Sequence, residues 1–204
     1  MAIKLANNQS LTAITSLPSA VSGGTFTLLQ TQTASSSATI SFTSNIDSSY
    51  KEYMFKFYNM HPATDNTDFQ FNASIDGGSN YNVSKTSAFY RAFNDEASGG
   101  GGQGVSYDTD GDSGNNTGFQ VLTRTDLGNA NDESCVGTLF IYNPSDTNLV
   151  KHYQARINVH HEADYTFDAF IGGYLNTTSA VNAFQFKMAS GNTDSGVIKL
   201  YGVS

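Results

Sequence analysis

The chain alternates short apolar runs with clusters of Gly, Asn, Asp and Ser, a pattern typical of β-strands separated by turns. In one run Phe69, Phe71 and Ala73 occupy every second position and therefore share one face of a strand. That run ends at residues 76–80, where Asp-Gly-Gly-Ser-Asn is a strong turn signal. The pattern predicts about ten to twelve strands, with the clearest runs at residues 25–31, 38–43, 51–59, 68–75, 88–93, 119–123, 135–142, 150–159, 165–175, 183–188 and 196–201.

The spacing of these runs favours an all-β protein, because no stretch has a convincing helical period. We expect one domain over residues 25–204, folded as an antiparallel two-sheet β-sandwich of jelly-roll type. Residues 1–24 form a polar leader without a core of their own, and we expect a short extended N-terminal attachment segment there. Such a segment can add a strand to the sheet edge of a neighbour.

Residues 94–117 interrupt the alternation. They contain an unbroken glycine run at residues 99–102, followed by a stretch made almost entirely of Asp, Gly, Asn, Ser and Thr. Strands of the same style resume immediately afterwards, so this segment does not read as a linker between domains. We predict a Gly/Asp-rich surface excursion from the sandwich.

The composition and net charge of the chain argue against some classes of binding partner. Charged residues make up 14% of the 204, and the net charge is −8, whereas an average protein has roughly 25% charged residues. Nucleic-acid binding requires clustered Lys and Arg, and the ten basic residues here are scattered. We see no long apolar run, and we therefore expect neither a signal peptide nor a transmembrane helix. We therefore expect neither a nucleic acid nor a membrane as partner.

Three aspartates form the main candidate metal site. Asp108, Asp110 and Asp112 alternate in a glycine-containing stretch, and alternate carboxylates can converge on calcium. The stretch is not an EF-hand, because Ser113 stands where that loop requires glycine and Phe119 stands where it requires glutamate. A calcium loop and a solvated acidic turn are both open interpretations.

No other group of residues indicates chemistry. His160 and His161 are adjacent, and neighbours on a strand point to opposite faces, so they do not easily share one metal ion. The single cysteine, Cys135, lies in an apolar run and is expected to be buried. The chain has no nucleophile elbow, phosphate-binding loop or dinucleotide fingerprint. We expect no enzymatic activity, no catalytic residues and no cofactor other than the calcium considered above.

Tyrosines in predicted loops are a further candidate surface. Tyr81, Tyr107 and Tyr165 could stack on sugar rings, or they could pack in the core or in a subunit interface. The second interpretation is favoured, because aromatic residues dominate both of those settings.

Several stretches distributed along the chain resemble a family of virion structural proteins from marine bacteriophages. They are residues 7–18 (NNQSLTAITSLP), residues 31–40 (TQTASSSATI), residues 46–65, which begin with IDSSYKEY and end with HPATD, and residues 185–202, which begin with QFKMASGN and end with IKLYG. The resemblance does not include residues 94–117, and it carries over no catalytic residue. It implies that the protein is located in the virion after assembly in the host cytoplasm.

Two functions follow as expectations. The first is a non-enzymatic structural protein on the particle surface, either a capsid decoration or a tail or fibre component, which self-associates as a trimer and binds other capsid or tail proteins. The alternative is a tail module that recognises a host-surface glycan, because aromatic and Asn/Asp-rich loops on a β-sandwich are shared with lectins.

Overall fold

The computed structural model describes residues 26–96, 102–124 and 127–204, which form thirteen β-strands and no helix. The strands are β1 (Phe26–Ser37), β2 (Ile40–Phe42), β3 (Glu52–Pro62), β4 (Phe69–Ser74), β5 (Lys85–Asp95), β6 (Gln103–Tyr107), β7 (Ser113–Asn116), β8 (Gln120–Val121), β9 (Cys135–Tyr142), β10 (Lys151–His160), β11 (Tyr165–Leu175), β12 (Ala183–Met188) and β13 (Thr193–Val203).

The strands form two antiparallel sheets. The large sheet has nine strands in the order β1-β13-β3-β9-β10-β11-β5-β6, and β7 also pairs with β5. The small sheet has the order β2-β12-β4-β8. The predicted all-β, antiparallel two-sheet sandwich is therefore confirmed, whereas jelly-roll connectivity stays a prediction.

Aromatic rings fill the space between the sheets. Strand β10 shows why, because its residues alternate between buried and exposed along its whole length and every second side chain turns inward. On β12, the ring of Phe186 lies 5.0 Å from that of Phe55 and 5.3 Å from that of Phe57, both on the large sheet. Its ring also contacts Phe42, Phe69 and Phe71 of the small sheet. Phe186 is thus the centre of the core.

The excursion at residues 94–117 contains more regular structure than its composition indicates. Strands β6 and β7 both lie within it, and both add to the large sheet through β5. Most of their residues are exposed, as expected of a surface segment. The glycine run lies outside the described residues apart from Gly102, and so does the predicted N-terminal attachment segment at residues 1–24.

The turn predicted at residues 76–80 is confirmed. Gly77 and Gly78 have φ values of 73° and 92°, a backbone region that glycine enters without the strain imposed by a Cβ atom. The Asp76 carboxylate accepts hydrogen bonds from the Ser74 hydroxyl and from Asn80. These bonds lower the pKa of Asp76 to about 2 and hold the turn in shape.

Candidate functional site

The outward face of the large sheet carries polar, cationic and aromatic side chains. It is formed by the alternate positions of each strand that do not enter the core. On β10 these outward residues are His152, Gln154, Arg156 and Asn158, and all four are exposed to solvent. The face is therefore a product of the same alternation that builds the core.

Strand register aligns six of these side chains in one row across the sheet. Lys199 on β13 is paired with Lys56 on β3, and Lys56 with Thr138 on β9. The row continues through the remaining strands to β5, since successive residues are paired: Thr138 with Arg156, Arg156 with Phe170, and Phe170 with Tyr90. We call Lys199, Lys56, Thr138, Arg156, Phe170 and Tyr90 the outer row.

Three planar groups of the outer row stack side by side. The rings of Tyr90 and Phe170 are nearly parallel, with centroids 5.0 Å apart and an interplanar angle of 4°. The Arg156 guanidinium lies over the other side of the Phe170 ring, 5.0 Å from its centroid. Arg156 also donates from Nη2 to the Asp168 carboxylate at 2.6 Å, and this pairing raises the pKa of Arg156. The stack is thereby held in one orientation.

A groove runs beside the outer row. One wall consists of Thr138, Arg156, Phe170 and Tyr90, and the other side is lined by Phe140, Gln154 and Gly172. It has a volume of about 520 Å³ and is open to solvent. Because Gly172 has no side chain, the space above its backbone is empty: a Cβ atom built there would meet no atom within 4 Å. We call this depression the outer groove.

The cationic end of the outer row contains two lysines that face each other. Lys56 and Lys199 are direct cross-strand neighbours, and their Nζ atoms lie 5.4 and 5.5 Å from the centroid of the Tyr58 ring. Within the described part of the chain, neither ammonium has a carboxylate oxygen within 4.0 Å. The ring of Tyr58, which both ammonium groups contact, therefore stabilises the two charges.

The three predicted calcium ligands all have side-chain partners within the chain. Asp108 is nearly buried, and its carboxylate accepts a hydrogen bond from Arg124 Nε at 2.8 Å. Asp110 accepts from Nη2 of the same arginine at 2.7 Å. Asp112 instead accepts from the Tyr107 hydroxyl at 2.6 Å. Among residues 26–96, 102–124 and 127–204, no three His, Cys, Asp or Glu side chains are grouped so as to hold a metal ion.

The two adjacent histidines have separate environments. His160 Nε2 lies 3.5 Å from Glu96 Oε1, whereas His161 Nδ1 accepts a hydrogen bond from the Ala163 amide at 2.8 Å. The His161 ring packs against Phe167. These contacts are those of structural residues at the end of β10.

Cys135 is buried as predicted, with 1% of its surface exposed. Burial raises the pKa of its thiol, so the thiolate that a nucleophilic cysteine requires is disfavoured.

The three candidate sugar-stacking tyrosines do not form one surface. Tyr107 lies on β6 and is 57% exposed, directly across from Tyr90 of the outer row. Tyr165 begins β11, is partly buried, and its ring stacks on Phe167. Tyr81 is also partly buried. Of the three, Tyr107 is the one placed beside the outer groove.

The chain was compared with protein-family models, curated proteins and solved structures. None of them matches it. Its resemblance to phage virion proteins therefore stays a prediction, and its function has to be argued from the geometry. In the described residues there is no helix with the length and apolar character needed to cross a membrane.

Sequence reasoning missed the outer row. Its members come from six strands, and only the register shows that they are neighbours. A partial signal was present on β10, where Gln154 and Arg156 alternate with buried residues. The separation along the chain between Lys56 and Lys199 left no signal for that pair.

Proposed function

We propose that the protein is a non-enzymatic structural component of a bacteriophage particle, located in the virion as a capsid decoration or as part of the tail or a fibre. The sequence resemblance suggests the location. The observation that carries the proposal is a long, uncharged strand at one edge of the large sheet as formed by the described residues, because such an edge favours assembly through strand pairing.

Strand β1 provides this edge. It is 12 residues long, and in the described part of the chain it pairs with β13 alone. Its sequence, FTLLQTQTASSS, contains no charged residue and no proline. Natural edge strands usually contain Lys or Pro, or are short, and these features prevent intermolecular pairing. Phe26 and Leu28 are each 51% exposed, so β1 offers both backbone groups and apolar area to a partner.

The opposite edge of the sheet is β6, where Val105 and Tyr107 are exposed. Pairing of β1 in one copy with β6 in the next would be a head-to-tail contact, and such contacts generate rings when the rotation closes. We propose a ring of three copies, attached to capsid or tail proteins through residues 1–24. Deletion of residues 1–20 is then expected to leave a folded sandwich that no longer joins particles.

Charging the edge tests the proposal. The double substitution Leu28→Lys and Thr33→Lys places two ammonium groups on β1 at positions outside the core. Analytical ultracentrifugation is expected to show a trimer for the wild type and a monomer for this variant. The control, Ser44→Lys with Ser48→Lys, adds the same charge at exposed loop positions and should stay trimeric. A wild-type monomer at every concentration, or a trimer unaffected by the edge lysines, would reject assembly through β1.

Recognition of a host-surface glycan is the second candidate function, and the outer groove favours it. Aromatic rings, an arginine, a threonine and a glutamine lining an open depression are suited to sugar rings and hydroxyls. Binding of the purified protein to host cells, measured with and without calcium, tests both this function and the calcium prediction. Absence of cell binding at high protein concentration would remove this candidate.

A further inference from the structure

We propose that the outer row and the outer groove together bind an acidic polysaccharide, with its carboxylates on Lys56 and Lys199 and its sugar rings in the groove. This inference rests on the second candidate function, glycan recognition, and specifies the chemical class of the glycan.

The facing lysines indicate an anionic ligand. Like charges directly opposite each other on neighbouring strands destabilise a sheet. The chain has a net charge of −8 and only ten basic residues, yet two of them are cross-strand neighbours. Acidic residues are abundant in this chain, but none described lies within 4.0 Å of either ammonium. A bound carboxylate would neutralise this repulsion.

The shape of the site indicates a chain-like ligand. The outer row crosses six strands, and neighbouring strands are about 4.8 Å apart, so the row is roughly 24 Å long. The groove follows its aromatic half and is open to solvent. A ligand lying across the strands would therefore meet the lysines at one end and the rings of Phe140, Phe170 and Tyr90 at the other.

The lining favours a sugar over other polyanions. The groove offers ring surfaces together with the polar groups of Thr138, Gln154 and Arg156, which suits a ligand with both apolar faces and hydroxyls. A nucleic acid would require many more cations than the three in this row. A purely charged chain such as polyglutamate would use the lysines but not the groove.

Gly172 offers a clean way to block the groove. A side chain there points to the outside and meets no atom within 4 Å, so Gly172→Tyr fills the groove without disturbing the core. Gly114 is also free of neighbours within 4 Å, and Gly114→Tyr is the matched control. Tyr90→Ser is a second groove variant that removes a ring rather than adding one.

The charge variant has its own control. Lys56→Gln with Lys199→Gln removes the facing lysines. Lys187→Gln removes a lysine that also lies over an aromatic ring, 4.5 Å from the Phe119 centroid, but on the small sheet. All variants are checked by circular dichroism and thermal melting before binding is measured.

The probes are a β-1,4-linked mannuronate hexamer and β-1,4-mannohexaose, which differ only in the carboxylate, measured by calorimetry on the full chain in calcium-free buffer. The mannuronate hexamer is expected to bind at least about tenfold more tightly than mannohexaose. Gly172→Tyr and Tyr90→Ser should abolish or greatly weaken binding, and the double lysine variant should reduce mannuronate binding to the level of mannohexaose. Both controls should match the wild type.

Three results would overturn the inference. If mannohexaose binds as tightly as the mannuronate hexamer and Gly172→Tyr abolishes both, the ligand is a neutral glycan and only the acidic class is wrong. If hexaglutamate binds like the mannuronate hexamer and Gly172→Tyr has no effect, the lysines attract any polyanion. If neither sugar binds, the outer groove no longer supports glycan recognition at all.

Discussion

The two faces of the large sheet use the same kinds of residue for different purposes. On the inner face Tyr153 and Phe55 are at most 1% exposed and pack against rings of the small sheet. On the outer face Tyr90 is 45% exposed, and its ring stacks on Phe170. Rings of the inner face are buried in the core, whereas rings of the outer face remain exposed to solvent.

The lysines divide in the same way. Lys85 and Lys151 are fully buried, and their ammonium groups donate to backbone carbonyls, Lys85 to Gly118 and Lys151 to Leu149 and Thr177. Lys56 and Lys199 instead face each other over Tyr58 on the outer sheet surface. Position relative to the sheet, and not residue type, therefore separates buried lysines from lysines on the outer surface.

The largest expected difference between the faces is in aromatic truncation. Phe186→Ala is expected to lower the free energy of unfolding by about 3–5 kcal/mol, because it removes the central ring of the core. Phe170→Ala, on the outer face, should cost about 1 kcal/mol or less. Chemical denaturation of both variants measures this, and equal losses would contradict the distinction between the faces.

Arginine–aspartate pairs should show a smaller difference. Arg124→Gln leaves the nearly buried Asp108 carboxylate without its 2.8 Å partner, and we expect a loss of about 1–3 kcal/mol in unfolding free energy. Arg156→Gln on the outer face breaks a pair whose arginine is 64% exposed, so a clearly smaller loss than for Arg124→Gln is expected, because solvent screens the pair. A larger loss for Arg156→Gln would indicate that the outer pair supports the fold.

Buried and exposed lysines should also differ in pH dependence. Burial lowers the pKa of Lys85 to about 8 in the folded protein, below its value of about 10.5 in the unfolded chain. Between these two values the unfolded state holds more protons, so the contribution of Lys85 to stability rises with pH. Relative to Lys85→Met, the wild type should gain about 1–2 kcal/mol of unfolding free energy from pH 7 to pH 9.5.

A difference between Lys85→Met and the wild type that stays constant from pH 7 to pH 9.5 would show that Lys85 is not desolvated.

The smallest expected effect concerns the facing lysines. Lys199→Gln relieves a like-charge contact with Lys56 and should raise the free energy of unfolding by roughly 0.2–0.5 kcal/mol at low salt. The gain should decline as salt screens the repulsion. Lys187→Gln, on the small sheet, is not expected to raise the free energy of unfolding. An equal gain for that variant would show that the effect of Lys199→Gln does not come from its position opposite Lys56.

The alternation of apolar and polar residues along the strands made much of the fold predictable from the sequence. The eleven apolar runs all have counterparts among the thirteen strands, because alternation reports directly which residues enter a core. Strands β6 and β7 could not be found this way: their composition is that of a loop, and they form because β5 extends far enough to pair with them. Backbone pairing there overrides low strand propensity.

The candidate site was far less predictable. Gly172 appears in the sequence as one glycine among nineteen, and only the paired strands show that it opens a groove beside Phe140 and Gln154. In the Asp108 stretch the sequence pattern is conspicuous, but it gave no sign that Asp108 and Asp110 pair with Arg124. Local patterns report strands and turns, whereas the site depends on register between strands far apart in the chain.

Quantitative mass spectrometry of purified phage particles tests the central claim most directly. The account predicts that the chain is present at a fixed ratio to the major capsid protein, with hundreds of copies indicating a capsid decoration and a few dozen or fewer indicating a tail or fibre component. Absence of the chain from intact particles, with the protein abundant in the lysate, would contradict it.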